Sequence, residues 1–235
     1  MRIGRIRLCW QKLMEPKYAR LTPELYSYVC HHASRANNPV LATLRAETEA
    51  LGDISRMLIS KEQGDFMSLL VAAVSAESTI EIGTFTGYSA ICIALGLPDE
   101  GRLMSIDQNV EWTSIARRYW EQAGVANKID LRIGDGVDKL AQLKPEELFD
   151  FAFIDADKVS YDKYFELLLP HMRPNSLLLF DNMLMGGQVL APELADENVR
   201  ALDALNKKLA SDPRVESVLL AVADGLTICR KRVLD

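Results

Sequence analysis

Histidine is scarce in this chain: three among 235 residues, with His31 and His32 adjacent and His171 following a proline. Those placements suit surface positions rather than a histidine acid–base centre or metal site. Cysteine is nearly as rare. Cys9, Cys30, Cys92 and Cys229 lie far apart, without the spacing of a metal site or the density of a disulfide scaffold, and read as reduced thiols of a cytoplasmic protein. No apolar run reaches the ~18 residues of a membrane span. Basic charge is not in excess either: 27 Lys and Arg against 33 Asp and Glu leave a net charge of -6, which speaks against a nucleic-acid footprint. Internal repeats and low-complexity segments are lacking as well.

The apolar share, 49% with 26% charged residues, is enough to bury one substantial core, so residues 1–235 are expected to form a single domain. Residues 1–20 read as a basic arm, because Arg2, Arg5, Arg7, Lys12, Lys17 and Arg20 interrupt its apolar positions and exclude a signal peptide. Ile3, Ile6, Trp10, Leu13 and Met14 would share one side of a helix there, either for packing or for a membrane surface. Residues 21–76 form a helical part. Thr22-Pro23 and Asn38-Pro39 are placed as helix starts and Gly52 as a stop, which predicts three helices.

Over residues 77–235 the pattern changes to short apolar runs alternating with amphipathic stretches, the signature of strand-helix units around a parallel sheet. Strands are expected near Thr79 to Ile82, Leu103 to Ile106, Ile129 to Ile133, Phe149 to Ile154 and Leu177 to Phe180. Helices are expected at Ser89 to Leu97, Trp112 to Ala123, Asp138 to Gln142 and Tyr161 to Leu169. A helix over Val199 to Ala210 then leads to a hairpin, Val215 to Val222 and Leu226 to Cys229, with Asp224-Gly225 favouring a tight turn.

Glu81 to Ser89, EIGTFTGYS, lies where the first strand turns into a helix, the place at which open α/β sheets bind ligands. Gly83 and Gly87 permit close backbone approach, and Ser89 at the helix start can cap it and donate to an anionic group. Asp107 ends the next strand at the distance where an acidic side chain reaches ribose hydroxyls, which implies a nucleoside. The spacing G-x-x-x-G lacks the central glycine of the dinucleotide fingerprint G-x-G-x-x-G and suits a cofactor without a diphosphate, S-adenosylmethionine. A plain structural turn and a nicotinamide dehydrogenase are the competing readings.

Two further strand ends are acidic: Phe151 to Ile154 runs into Asp155-Ala156-Asp157-Lys158, and Leu177 to Phe180 into Asp181-Asn182. In a parallel sheet both reach the same rim, where Asp155, Asp181 and Asn182 can offer three hard oxygen ligands to Mg²⁺, Ca²⁺ or Mn²⁺. Taken singly, each aspartate is as readily a cap or turn residue. Lys158 is either a solvated lysine or, beside a metal in a desolvated pocket, a base. Tyr161 and Tyr164 read as half-buried packing groups.

In these segments, together with Leu25-Tyr26-Ser27-Tyr28, Met57 through Phe66, Ala123-Gly124-Val125-Ala126 and Asp224-Gly225-Leu226-Thr227, the chain resembles the cation-dependent O-methyltransferases of the catechol and caffeoyl-coenzyme-A type. The resemblance runs over nearly all of the chain from Leu21. It implies a doubly wound Rossmann-like sheet with an antiparallel C-terminal strand, a homodimer, and a small aromatic substrate with adjacent hydroxyls. It further implies that Met57, Ile59, Glu81, Gly83, Ser89, Asp107 and Gly136 line the cofactor site. Asp155, Asp181 and Asn182 would hold the metal, and Lys158 matches the family's base. Lys17 matches a substrate contact of the plant members. Met185 departs from the pattern, standing where many members have a tryptophan beside the substrate, and puts caffeoyl-coenzyme A in doubt as the acceptor. An inactive cofactor-binding protein of the same fold is the alternative function.

Overall fold

The computed structural model describes residues 19–33 and 38–233. Most of the basic arm, Lys17 included, lies outside the described residues. The chain divides into two compact units, Met1–His32 and Ala33–Asp235. In the first, helix α1 spans Pro23–His31, with the Thr22 hydroxyl accepting from the Leu25 amide and Pro23 at the first helical position.

The second unit opens with α2 (Pro39–Glu49), capped by Asn38, which accepts from the Val40 and Leu41 amides. A 3₁₀ turn over Gly52–Met57 leads to α3 (Lys61–Ala73). With α1, these are the three expected helices. Then come β1 (Ser78–Ile82), α4 (Tyr88–Gly96), β2 (Arg102–Asp107), α5 (Val110–Gln122), β3 (Ile129–Ile133), α6 (Gly136–Ala141), β4 (Phe149–Ile154), α7 (Tyr161–Leu168), β5 (Met172–Phe180), α8 (Glu197–Ser211), β6 (Val215–Leu220) and β7 (Leu226–Lys231). Helices α4, α5 and α6 begin one or two residues before the expected positions. For α5 and α6 the reason is capping: Asn109 accepts from the Trp112 amide and Asp135 from the Asp138 amide, so each of these two helices starts at its cap and not at its first large apolar residue.

The seven strands form one sheet in the order β3-β2-β1-β4-β5-β7-β6, parallel except where β7 pairs β5 and β6. Alternate residues face opposite sides, each covered by helices. Phe151, Phe153, Leu177 and Leu179 pack with residues of α2 to α5. Ala152, Ile154, Leu178 and Phe180 pack with residues of α7 and α8. Helix α7 shows the local cause, since Tyr161, Tyr164, Phe165 and Leu168 recur at helical spacing and are all buried. This is the doubly wound arrangement.

Two segments differ from expectation. Strand β5 begins at Met172 because Phe149 pairs with Met172 and Phe151 with Leu177, so the extra residues bulge, Asn175 taking φ +67°. The β6–β7 hairpin exists, but its connection is longer than a two-residue turn. Asp224 and Gly225 instead brace another loop: their carbonyls accept from the Leu184 and Met183 amides, and the Asp224 carboxylate accepts from the Gly186 amide at 2.6 Å.

Strand order reverses at β1, whose neighbours are β2 and β4, and a crevice opens beyond the carboxyl ends of such strands. There Gly83, at φ +95°, lies so close to the β4 end that an added Cβ would stand 1.9 Å from the Asp155 carbonyl oxygen. Both facts demand glycine. Gly83→Ala is therefore expected to destabilise the protein by roughly 3 kcal/mol or more, read as a lower urea midpoint. A wild-type midpoint would show that the two strand ends separate freely.

Candidate functional site

The crevice is built from the ends of β1, β2, β4 and β5. Glu81 on β1 stands in register with Ser105 on β2, both fully buried on one face of the sheet. Its carboxylate accepts from Ser105 Oγ at 2.7 Å and from Ser89 Oγ at 2.8 Å. Burial lifts this carboxyl to about 7, with Asp107 and Asp155 adding to the rise and the two serine hydroxyls pulling against it. Thr84 Oγ1 lies 2.5 Å from Ser105 Oγ and extends the network into the glycine loop.

Ser89 therefore differs from the expected cap. Gly87, at φ +87°, is the N-cap of α4 and offers no side-chain bond, while the Ser89 hydroxyl points back at Glu81. A buried carboxylate without nearby cations takes the available donors, and the cap loses them. The loop is also held from β2. Asp107 Oδ2 accepts from the Thr84 and Phe85 amides at 2.9 and 2.8 Å, and Oδ1 from the Asn109 amide at 2.8 Å. A carboxylate has about four acceptor positions, so one on Oδ1 is left for a ligand.

Other expected residues join this rim unequally. Gly136 opens α6 so close to Ile82 and Tyr164 that a Cβ would meet them at 2.9 and 3.0 Å, which puts the α6 start against the end of β1. Ile59 is buried, its carbonyl held at 2.7 Å by Arg45, whose guanidinium lies over the Tyr88 ring next to Ser89. Met57 is exposed at the end of its 3₁₀ turn.

At the β4 and β5 ends the ladder continues one residue past each strand: the Asp155 amide donates to Ile82 and the Asp181 amide to Ile154. This sets two carboxylates side by side. Asp181 is 3% exposed, and burial raises its carboxyl to about 7; Asp155 adds to the rise, while Lys158, Gln63 and the Asn182 amide oppose it. Asn182 has φ +59°, a backbone that asparagine tolerates. Lys158 Nζ donates to Asp155 Oδ1 at 2.9 Å and to the Tyr161 hydroxyl at 2.7 Å. Among the described residues no three His, Cys, Asp or Glu side chains gather as a metal cluster; two carboxylates and a neighbouring amide residue are what meets here.

Three participants escaped the sequence reading. Gln63 is 1% exposed and neither of its amide atoms makes a well-formed hydrogen bond, although the group lies close enough to Asp181 to draw its carboxyl down. Ser105 was legible as one polar residue inside an apolar strand. Tyr161 is wholly buried, not half-buried, and its hydroxyl joins Lys158 to the Asp181 carbonyl. Met185 begins the 3₁₀ segment Met185–Leu190 at φ +46°, partly buried against the core on the α7–α8 side. His31 and His32 are exposed on and just beyond α1, and His171 bonds the Glu147 carbonyl at 2.9 Å. No helix among the described residues is long and apolar enough to cross a membrane.

A family model described as O-methyltransferase matches residues 31–232. Tricin synthase 1 of Oryza sativa subsp. japonica is 41% identical over 213 residues, 81% of this chain and 84% of that protein. Caffeoyl-CoA O-methyltransferase 2 of Eucalyptus globulus is 37% identical over 219 residues, 88% of each. The structure of an O-methyltransferase from Bacillus cereus in complex with SAH superposes with a TM-score of 0.82 at 30% identity, covering 89% of this chain and 97% of that one.

The Glu81 pocket makes stability depend on pH with a definite sign. Its folded pKa, about 7, lies above the ordinary glutamic value, so the folded state holds the proton more tightly. That contribution is complete below pH ~4.5 and is lost as pH rises through ~7, a change on the order of 3 kcal/mol. Glu81→Gln removes the ionisation. The urea midpoint of wild type should fall relative to Glu81→Gln between pH 5 and 8; parallel curves would show that Glu81 is not charged at a cost.

Proposed function

The chain belongs to the O-methyltransferase family, whose members use S-adenosylmethionine, and from this premise we propose that it methylates one hydroxyl of a catechol-like substrate with the help of a divalent cation. The reading rests on one observation, the paired carboxylates of Asp155 and Asp181 with Lys158 against them. Gly83, Ser89, Asp107, Gly136, Met57 and Ile59 are assigned to the cofactor, Asp107 through its spare Oδ1 position and Gly83 through its bare backbone. Glu81, wholly enclosed, acts on the cofactor by holding Ser89 and Ser105 in place.

The acidic pair fits a hard cation. The buried Asp181 and half-buried Asp155 carboxylates repel one another, Lys158 offsets only part of that charge, and Gln63 brings an orphaned amide beside them. Asp155, Asp181 and Asn182 supply two carboxylates and an amide oxygen, which suits Mg²⁺ and leaves positions for substrate. When bound, the cation supplies positive charge against two adjacent phenolic oxygens, and the cofactor supplies an electrophilic methyl on sulfur.

What the protein's own groups do is to orient and to take a proton. Lys158 Nζ would take the hydroxyl proton as the O–H bond breaks, leaving the oxygen to accept the methyl that the bound cofactor would supply, and would later return the proton to water. The negative field of Asp107, Asp155 and Asp181 favours a positively charged sulfur at the rim and disfavours a diphosphate. The relatives named for caffeoyl-CoA support a phenolic acceptor. Met185, on the loop after β5, offers a flexible thioether where an aromatic wall would select flat acyl groups, so small catechols and flavonoids are the proposed class.

Methyl transfer from S-adenosylmethionine to a catechol panel, with and without chelator, tests this. Chelator should abolish transfer and Mg²⁺ restore it, Asp181→Ala should no longer respond to Mg²⁺, and Lys158→Met should lower kcat by about 10²–10⁴. Full activity of Asp181→Ala in excess chelator would overturn the metal, and full activity of Lys158→Met the base.

A further inference from the structure

Lys158 is held by more than its carboxylate partner. Its Nζ donates to Asp155 Oδ1 and to the hydroxyl of Tyr161, whose ring centre also lies 4.8 Å from the ammonium. The Tyr161 hydroxyl in turn donates to the Asp181 main-chain carbonyl at 3.3 Å. A phenol has one proton, and with that proton directed at Asp181 its oxygen can only accept from Lys158.

We infer that Tyr161 is a positioning residue that fixes the direction from which Lys158 can take a proton. The inference rests on the reading of Lys158 as the base. An sp³ nitrogen has four directions: the side-chain carbon fills one, Asp155 Oδ1 the second and Tyr161 Oη the third. The fourth alone is open to a proton on the substrate. With a single acceptor, Nζ could turn about its carbon bond and spread that direction around a cone. A second acceptor, fixed on α7 one turn after Lys158 and tied to the β5 end, stops the rotation. The Tyr161 hydroxyl thereby also couples the amine to the strand end that carries Asp181 and Asn182. Buried polar chains of this kind hold direction better than an isolated pair.

Tyr161→Phe keeps the ring and removes only the tether. With S-adenosylmethionine, a simple catechol and Mg²⁺, it should lower kcat roughly tenfold or more while leaving both KM values near wild type. Adding it to Lys158→Met should have no further effect on the residual rate, because a residue acting through the amine has nothing left to act on. In the protein without metal or cofactor, ¹⁵N NMR of the lysine side chains should show slowly exchanging Lys158 Nζ protons in wild type and fast exchange in Tyr161→Phe. An unchanged kcat, equal losses in both backgrounds, or fast exchange already in wild type would overturn the inference, the last even if Tyr161→Phe does not fold. Full activity of Lys158→Met would defeat the base reading itself, while the NMR comparison would still decide whether the tether exists.

Discussion

Everything at this site depends on the contact between the backbone of Gly83 and the carbonyl of Asp155. The strand order reverses at β1, so the ends of β1 and β4 lie next to each other with no helix between them. Any side chain at Gly83 would force those ends apart. Because none is there, the loop assigned to the cofactor and the acidic end assigned to the metal share one wall. Methyl transfer requires donor and acceptor in line at close range, and a shared wall provides that without a moving part.

The rim is acidic. Glu81, Asp107, Asp155 and Asp181 come from four neighbouring strands, and the fold handles them in different ways. Glu81 is enclosed and leans on two serine hydroxyls. Asp107 accepts from three main-chain amides, which makes it part of the loop. Asp155 and Asp181 have Lys158 beside them, and burial holds the Asp181 carboxyl above its ordinary range. Such a surface attracts positive charge, as on a sulfonium.

Relations among the groups matter as much as their identities. Arg45 links the Ile59 carbonyl to the Tyr88 ring, and Asp224 and Gly225 brace the loop that carries Met185. Each ties together segments that lie apart in the sequence.

The amino-acid sequence by itself determined the order of strands and helices, the two faces of the sheet and the four carboxylates at strand ends. Those features follow from period, capping and distance along the chain, all of which are local. Tertiary structure alone decided how the groups are used. Ser89 turns from a cap into a donor for Glu81, Asp107 has one acceptor position left, and Tyr161, read as a packing ring, joins Lys158 to the Asp181 carbonyl. Gln63 reaches the same place from a helix more than a hundred residues away in sequence. Each outcome depends on which donor comes within about 3 Å of which acceptor once strands distant in sequence are paired, and no local pattern records that distance.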